Sequence, residues 1–325
     1  MDGFTYAGAT TVNQALGLAT AGSAYLAGGT TLVDLMKLGV LSPDQVVDVN
    51  RLPLGQITAD AAGLHVGALA RMAETAAEPI VAKAYPVLAQ ALLASASPQI
   101  RNMASIGGNL LQRTRCDYFR DVRVPCNKRT PGSGCPAQTG ANRGHAILGT
   151  SSSCAATHPS DLAVALVALD ASLTLQGSAG ARQVALADFY LPPGSTPQNE
   201  NQLRPGELIT GVLVPSLPWA TNSAYVKVRD RQSYEFALAS AAVVVQVANG
   251  VIADARIAVG GVGTVPWRLP AVEAALRGGK PSAAAFTAAA AKAAAGAKPL
   301  GDNGFKIVLM QRTIVRALSE LLGVQ

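Results

Sequence analysis

Between Gln112 and Ala156 the chain loses its periodicity. The stretch QRTRCDYFRDVRVPCNKRTPGSGC, residues 112–135, and the residues after it are rich in Gly, Pro, Asn, Arg and Ser. They repeat apolar residues at neither helical nor strand spacing. A structureless stretch longer than about 15 residues is uncommon inside a compact domain, so something beyond its own secondary structure is expected to order it. The same segment holds every cysteine of the 325-residue chain: Cys116, Cys126, Cys135 and Cys154, with nine, eight and eighteen residues between them.

Three chemistries compete for these thiols. Disulfides are possible in an oxidising compartment, but a domain with a large core has little need of them. Structural zinc usually uses closely spaced cysteine pairs, and none occurs here, although His145 lies in the segment as a further candidate ligand or an ordinary loop histidine. An iron–sulfur cluster needs four thiolates from any spacing that lets them meet, and wide glycine-rich gaps allow that. Arg113, Arg115, Arg120, Arg123, Lys128 and Arg129 outnumber Asp117 and Asp121 locally. They read either as a solvated loop or as a surface facing an anionic cofactor or partner, and they would favour thiolates and a negative cluster.

The rest of the chain has an ordinary globular composition, 49% hydrophobic and 14% charged, which excludes a disordered protein. The net charge of +6 is scattered outside the cysteine segment, and basic residues do not interleave with aromatics, so no nucleic-acid surface is expected. No apolar run reaches the ~18 residues of a membrane span. The first residues, MDGFTYAGATTVNQAL, lack the basic-then-apolar order of an export signal. A periplasmic location would therefore depend on export of the folded chain with a signal-bearing partner; otherwise the chain is cytoplasmic.

The elements alternate. Thr11–Ala19 reads as a helix capped by Thr10 or Thr11. A strand ending at Ala27 leads through Gly28–Gly29 into a second helix. DQVVDVN and GLHVGAL alternate as strands, and PIVAKAYPVLAQALLAS is a helix interrupted near Pro86. ASIGGNLL, residues 104–111, reads as another strand-to-glycine turn. HPSDLAVALVALDASLTLQG gives a helix beginning near Ser160 and Asp161, then a strand. LPPGSTPQNENQLRPGE is a surface loop or linker, and LITGVLVP is a strand. After Pro218 come three strands, with Asn249–Gly250 as a hairpin turn, and then three helices, the last an amphipathic helix with Phe305, Val308, Leu309, Val315, Leu318 and Leu322 at helical spacing. The organisation is α+β, with a boundary near residues 218–224.

Two glycine turns, AGGTTLVD at 27–34 and ASIGGNLL at 104–111, suit an anion. Glycine admits close backbone approach, and Thr30, Thr31, Ser105 and Asn109 add polar groups. Neither is a phosphate-binding P-loop or a dinucleotide fingerprint of the Rossmann type. Two such turns in one domain suit a ligand with two phosphates.

Four stretches, YLAGGTTLVDLMK, QIRNMASIGGNLLQ, HPSDLAVALVALDA and AYVKVRDRQSYEFALASAAV, together resemble the FAD-binding medium subunit of the molybdenum hydroxylases. These are the relatives of xanthine dehydrogenase, carbon monoxide dehydrogenase and aldehyde oxidoreductase. The resemblance runs in order along essentially the whole chain. The cysteine segment, with RCDYFR, PCNKR, GSGC and a cysteine just before HPSD, is similar to the FAD subunit of bacterial periplasmic aldehyde oxidoreductases. 4-Hydroxybenzoyl-CoA reductase has a comparable insert, and in both the four cysteines hold a 4Fe-4S cluster.

The resemblance implies an FAD-binding domain of the PCMH/vanillyl-alcohol-oxidase-like type, with two α+β subdomains at 1–57 and 58–220, the latter carrying an iron–sulfur insert at 112–156. It implies a C-terminal α+β domain at 221–325, built on a three-stranded antiparallel sheet and helices. FAD would be held by Ala27, Gly28, Gly29, Thr30, Thr31, Leu32, Val33 and Asp34 at its pyrophosphate. Ser105, Ile106, Gly107, Gly108 and Asn109 would form a second phosphate and ribose wall. Asp161 would lie near the adenosine, Ile209 would pack on the flavin, and Lys227 would lie near the isoalloxazine, with Tyr234 a weaker candidate there. Cys116, Cys126, Cys135 and Cys154 would hold the 4Fe-4S cluster. His65 and His158 read as structural.

The implied function is an electron-transfer subunit with FAD and 4Fe-4S in a heterotrimeric aldehyde oxidoreductase. Its partners would be a large molybdopterin subunit, a small 2Fe-2S subunit and an external electron acceptor. A related molybdenum hydroxylase acting on aromatic acyl-CoA, xanthine or an N-heterocycle is the nearest alternative. A zinc-stabilised binding module and a self-contained flavoenzyme are the readings from other classes.

Overall fold

A computed structural model describes residues 1–324. The N-terminal unit is a small parallel sheet: β1 (Thr5–Gly8), β2 (Ser23–Leu26) and β3 (Gln45–Asp48), in the order β1-β3-β2. Parallel neighbours need crossover connections, and helices Val12–Leu18 and Leu32–Lys37 supply them. The first helix starts where expected, because the Thr11 hydroxyl accepts from the Gln14 amide at 3.2 Å. Ala9, Ala15, Val47, Val49 and Leu52 fill the space beneath.

The second unit is antiparallel throughout. β4 (Ile57–Ala59), β5 (Gly63–Gly67), β6 (Ser172–Gly177), β7 (Gly180–Ala185) and β8 (Leu208–Pro215) lie in the order β4-β5-β8-β6-β7. The alternation of SLTLQG drives Leu173 and Leu175 inward. Helices Pro79–Ala84, Pro86–Ala94 and Asp161–Ala168 share one hydrophobic core with this sheet, and the latter two also pack on the C-terminal strands. The first two are one helical pattern broken at Tyr85, whose φ/ψ of −135°/60° precedes a proline with no amide to donate. Every residue of Asp161–Ala168 is buried, as its unbroken apolar run requires.

The C-terminal unit holds β9 (Ser223–Val228), β10 (Ala239–Ala248), β11 (Val251–Gly260) and β12 (Trp267–Arg268), antiparallel in the order β12-β11-β10-β9. Asn249 and Gly250 both have positive φ, 53° and 76°, as a two-residue hairpin with the strands' twist demands. Helices Pro270–Leu276, Ala283–Ala291 and Phe305–Leu322 cover one face. The expected three-stranded sheet is four-stranded, because Trp267–Arg268 adds a strand too short to show any periodicity. Residues 104–111 also differ from expectation. They are no strand-to-glycine turn: Ser105 caps a short helix, Ile106–Leu110, by accepting from the Gly108 amide at 3.2 Å.

The second and third units are clasped by charge. Arg268 donates to the Val167 carbonyl at 3.1 Å and pairs with both Asp170 and Glu273, and Arg256 pairs with Asp170 at 2.9 Å. Lys306, wholly buried at the start of the last helix, donates to the carbonyls of Gly144 and Gly261 at 2.9 and 2.8 Å. It thereby fastens the cysteine segment to the third unit. Among the described residues no helix is long and apolar enough to cross a membrane.

Residues 112–156 contain only two short helical turns, Asp117–Arg120 and Pro136–Gln138. Their order comes in good part from their own side chains. Arg129 donates to the carbonyls of Phe119, Tyr118 and Val124. Asn127 accepts from the Gly134 amide and donates to the Ser153 carbonyl, at 2.7 and 3.0 Å. These groups satisfy backbone atoms that a ladder would otherwise pair.

Candidate functional site

β2 ends at Leu26, and the chain turns through Ala27, Gly28 and Gly29 before entering helix Leu32–Lys37. Gly29 has φ +71°, and a Cβ at Gly28 would overlap the Met103 carbonyl oxygen. Glycine is therefore required at both, once for conformation and once for contact. This contact brings the two glycine segments together. Asn50 donates to the Ala27 carbonyl at 3.0 Å and accepts from Arg71 at 2.9 Å, and Arg71 donates also to the Met103 carbonyl. The Ile106 and Gly107 amides are tied to Ala70 and Ala68 at 2.9 and 2.8 Å.

Between these segments opens a cavity of about 470 Å³. Thr30, Thr31, Asp34, Gly108, Asn109 and Asp161 line it, as does Tyr234. Ala27, Gly28, Gly29, Leu32, Val33, Ser105, Ile106 and Gly107, expected at the site, are not among its lining residues. Asn109 is buried and fixed, accepting from Ser160 Oγ at 2.6 Å. Ile209 lies in the main core with Leu173 and Leu175 and does not line the cavity.

Lys227 is not an exposed strand lysine: its side chain is 3% exposed and its Nζ lies 2.7 Å from Asp161 Oδ2. Tyr225 donates to the other carboxylate oxygen at 2.7 Å, and Ser95 Oγ lies 3.0 Å from Oδ2. Asp161 lines the cavity and Lys227 does not, so Lys227 reaches the site only through its contact with Asp161. The carboxylate raises the Tyr225 hydroxyl pKa further above its usual range, beyond what burial alone does.

Residues not expected at this site also line it: Arg115 and Arg120 from the cysteine segment, and Phe236. Arg115 pairs with Asp34 at 3.1 Å and Arg120 pairs with it at 2.9 Å. Arg115 also stacks over the Phe236 ring at 5.2 Å. The local surplus of arginines was the only sequence signal of this. The other basic residues of the segment are bound elsewhere: Arg113 and Lys128 to Glu200, Arg123 to Asp121.

The four cysteines line a second, separate chamber. All four are free thiols, and the gap between them is about 10 Å³, room for about one water. Burial pushes the Cys116 thiol up to about 12, with Cys126 and Cys154 adding to the rise. His145 Nε2 lies 3.2 Å from Cys116 Sγ, and its buried Nδ1 has no partner. Among the described residues no three His, Cys, Asp or Glu side chains gather closely enough to hold one metal ion. Zinc would need four sulfurs each about 2.3 Å from one point, and the chamber is not gathered that tightly. Consecutive residues face different chambers: Arg115 and Asp117 line the large cavity, and Cys116 lines the thiol chamber.

His158 is half-buried edge-on to Tyr190, ring centroids 4.3 Å apart, and desolvation pushes it down to about 3. It is a neutral packing group. His65 pairs with Asp60 at 3.1 Å on the surface.

This arrangement, two glycine segments meeting over one cavity beside an antiparallel C-terminal unit, suits a protein that binds a dinucleotide. Residues 2–217 match the FAD binding domain in molybdopterin dehydrogenase, and residues 223–321 match the CO dehydrogenase flavoprotein C-terminal domain. The chain belongs to the FAD-binding medium subunits of the molybdenum hydroxylase family, an oxidoreductase family. It is 47% identical to the aldehyde oxidoreductase FAD-binding subunit PaoB of Escherichia coli, over 98% of each chain. It is 30% identical to the glyceraldehyde dehydrogenase medium chain of Sulfolobus acidocaldarius, over 76% of this chain and 71% of that one. Its fold superposes on carbon monoxide dehydrogenase from Hydrogenophaga pseudoflava with a TM-score of 0.77 at 26% identity, covering 99% and 98% of the two chains.

Proposed function

We propose that this chain is the electron-transfer flavoprotein subunit of a three-chain molybdenum-dependent aldehyde oxidoreductase. The observation that carries the reading is the 47% identity along nearly the whole chain to a subunit named for aldehyde oxidation. FAD bound here would supply two-electron chemistry between a donor chain and an external acceptor. The residues of this chain bind and orient it. The glycine segments admit the diphosphate, Asn109 and Asp161 present polar groups at the wall, and Lys227 fixes the Asp161 side chain in place. A large molybdopterin chain would oxidise the aldehyde, and a small 2Fe-2S chain would pass electrons to this one. A location in the periplasm would follow from export with such a partner.

The reading extends to a 4Fe-4S cluster on Cys116, Cys126, Cys135 and Cys154. Its support is the donor set: all the thiols of the chain, unpaired, line one chamber. A four-iron cluster is larger than a single zinc ion and holds its thiolates farther apart, so the gap of about 10 Å³ does not accommodate it as it stands. Seating it requires the thiols to open from the small gap they now enclose. Purification of the complex should return non-covalent FAD, and about four irons beyond those of the small subunit. Protein purified without flavin would end the reading; zinc in place of the extra iron would end its cluster part alone.

A further inference from the structure

We infer that Arg115 and Arg120, both contributed by the cysteine segment, form an anion-binding pair that takes the diphosphate of the bound dinucleotide. The inference rests on the flavin reading of the cavity and adds two residues that neither glycine segment contains.

Two guanidinium groups share the single carboxylate of Asp34, at 3.1 and 2.9 Å. One positive charge at this wall is therefore unbalanced. Arg120 Nη1 is buried and has no hydrogen-bond partner. A buried, unpartnered guanidinium nitrogen is costly, and because this one is closed off from the cavity, the guanidinium must turn toward it to give that nitrogen an acceptor. The planar fork of arginine suits phosphate oxygens, which it binds in parallel pairs. Asp34 holds the pair against Thr30 and Thr31, one turn away on the glycine segment, and all four line the same cavity.

The other charges there do not satisfy Arg120. Arg231 and Glu235 pair with each other at 3.2 Å, and Lys227 neutralises Asp161 at 2.7 Å. Asp117 is exposed and screened by water. The anion that fits is phosphate, and the flavin dinucleotide carries two.

The test is reconstitution of the flavin-stripped complex with FAD and, separately, with riboflavin, which has the isoalloxazine but no phosphate. Arg120→Met and Arg115→Met should each weaken FAD binding about tenfold to a hundredfold, the range of a hydrogen bond to a charged group. Riboflavin binding should not change, and Arg120→Lys should recover part of the loss. Unchanged FAD affinity in both Met variants would overturn the inference. So would an equal loss for FAD and riboflavin, which would mean the arginines only brace the fold. Wild-type complex that binds no FAD would remove the flavin reading itself, a result visible before any variant is made.

Discussion

Lys227 Nζ stands 2.7 Å from Asp161 Oδ2, and the two side chains are 3% and 6% exposed. The pair bridges β9 and the helix that opens at Asp161, two separate units of the fold. Removing one partner leaves a buried charge uncompensated. Lys227→Met should therefore cost about 3–5 kcal/mol. The double variant Lys227→Met/Asp161→Asn should be less destabilised than the sum of the single variants. Urea unfolding of the three variants measures this, and additive losses would refute the coupling.

Lys306 gives a pH dependence. Burial, with Arg143 adding repulsion, lowers it from 10.5 to about 7. Above about pH 7 the folded chain carries neutral Lys306 while the unfolded chain stays protonated up to about 10.5. The unfolded state then binds more protons, so stability rises with pH across that window. Below pH 7 both states are protonated and the gain is absent. Lys306→Met should flatten this slope in thermal melts taken from pH 7 to 10, read as the difference from wild type.

Gly28→Ala tests the seam between the two glycine segments. The added Cβ would overlap the Met103 carbonyl oxygen, which is backbone and cannot swing aside. The 27–31 turn should shift away from residues 103–104 and the complex should lose FAD. Flavin absorbance at unchanged subunit stoichiometry checks it. Gly39→Ala shows what strain alone does, because Gly39 has a positive φ, which Gly28 lacks, and its Cβ would meet nothing within 4 Å.

On the cluster reading proposed above, Cys126→Ser should remove the irons beyond those of a two-iron partner while sparing that partner's signals. Metal analysis with electron paramagnetic resonance reads both. Retention of all the iron would exclude Cys126 as a ligand.

Much of this fold can be read from local chemistry. The Thr11 cap, the break at Pro86 and the Asn249–Gly250 hairpin each depend on a few adjacent residues, and each stands where the sequence puts it. The paired glycines of 104–111 mislead because Ser105 uses its hydroxyl as a cap, turning a nominal turn into a helix. Strand β12 is too short for any periodicity to show. At the site, the glycine segments are legible because their composition is local. Asp34 with Arg115 and Arg120, and Asp161 with Lys227, are separated by 81, 86 and 66 residues. Such pairs are fixed by tertiary closure, which no window of sequence carries.

The cysteine segment and the flavin cavity have a common partition one residue thick, with Cys116 on one side and Arg115 and Asp117 on the other. The four thiols are therefore not a detachable module. Grafting them onto a medium subunit that lacks the segment would have to transplant part of the flavin enclosure as well. Excising the segment here would remove Arg115, Asp117 and Arg120 from that flank of the flavin cavity, so a version without the segment needs a replacement wall.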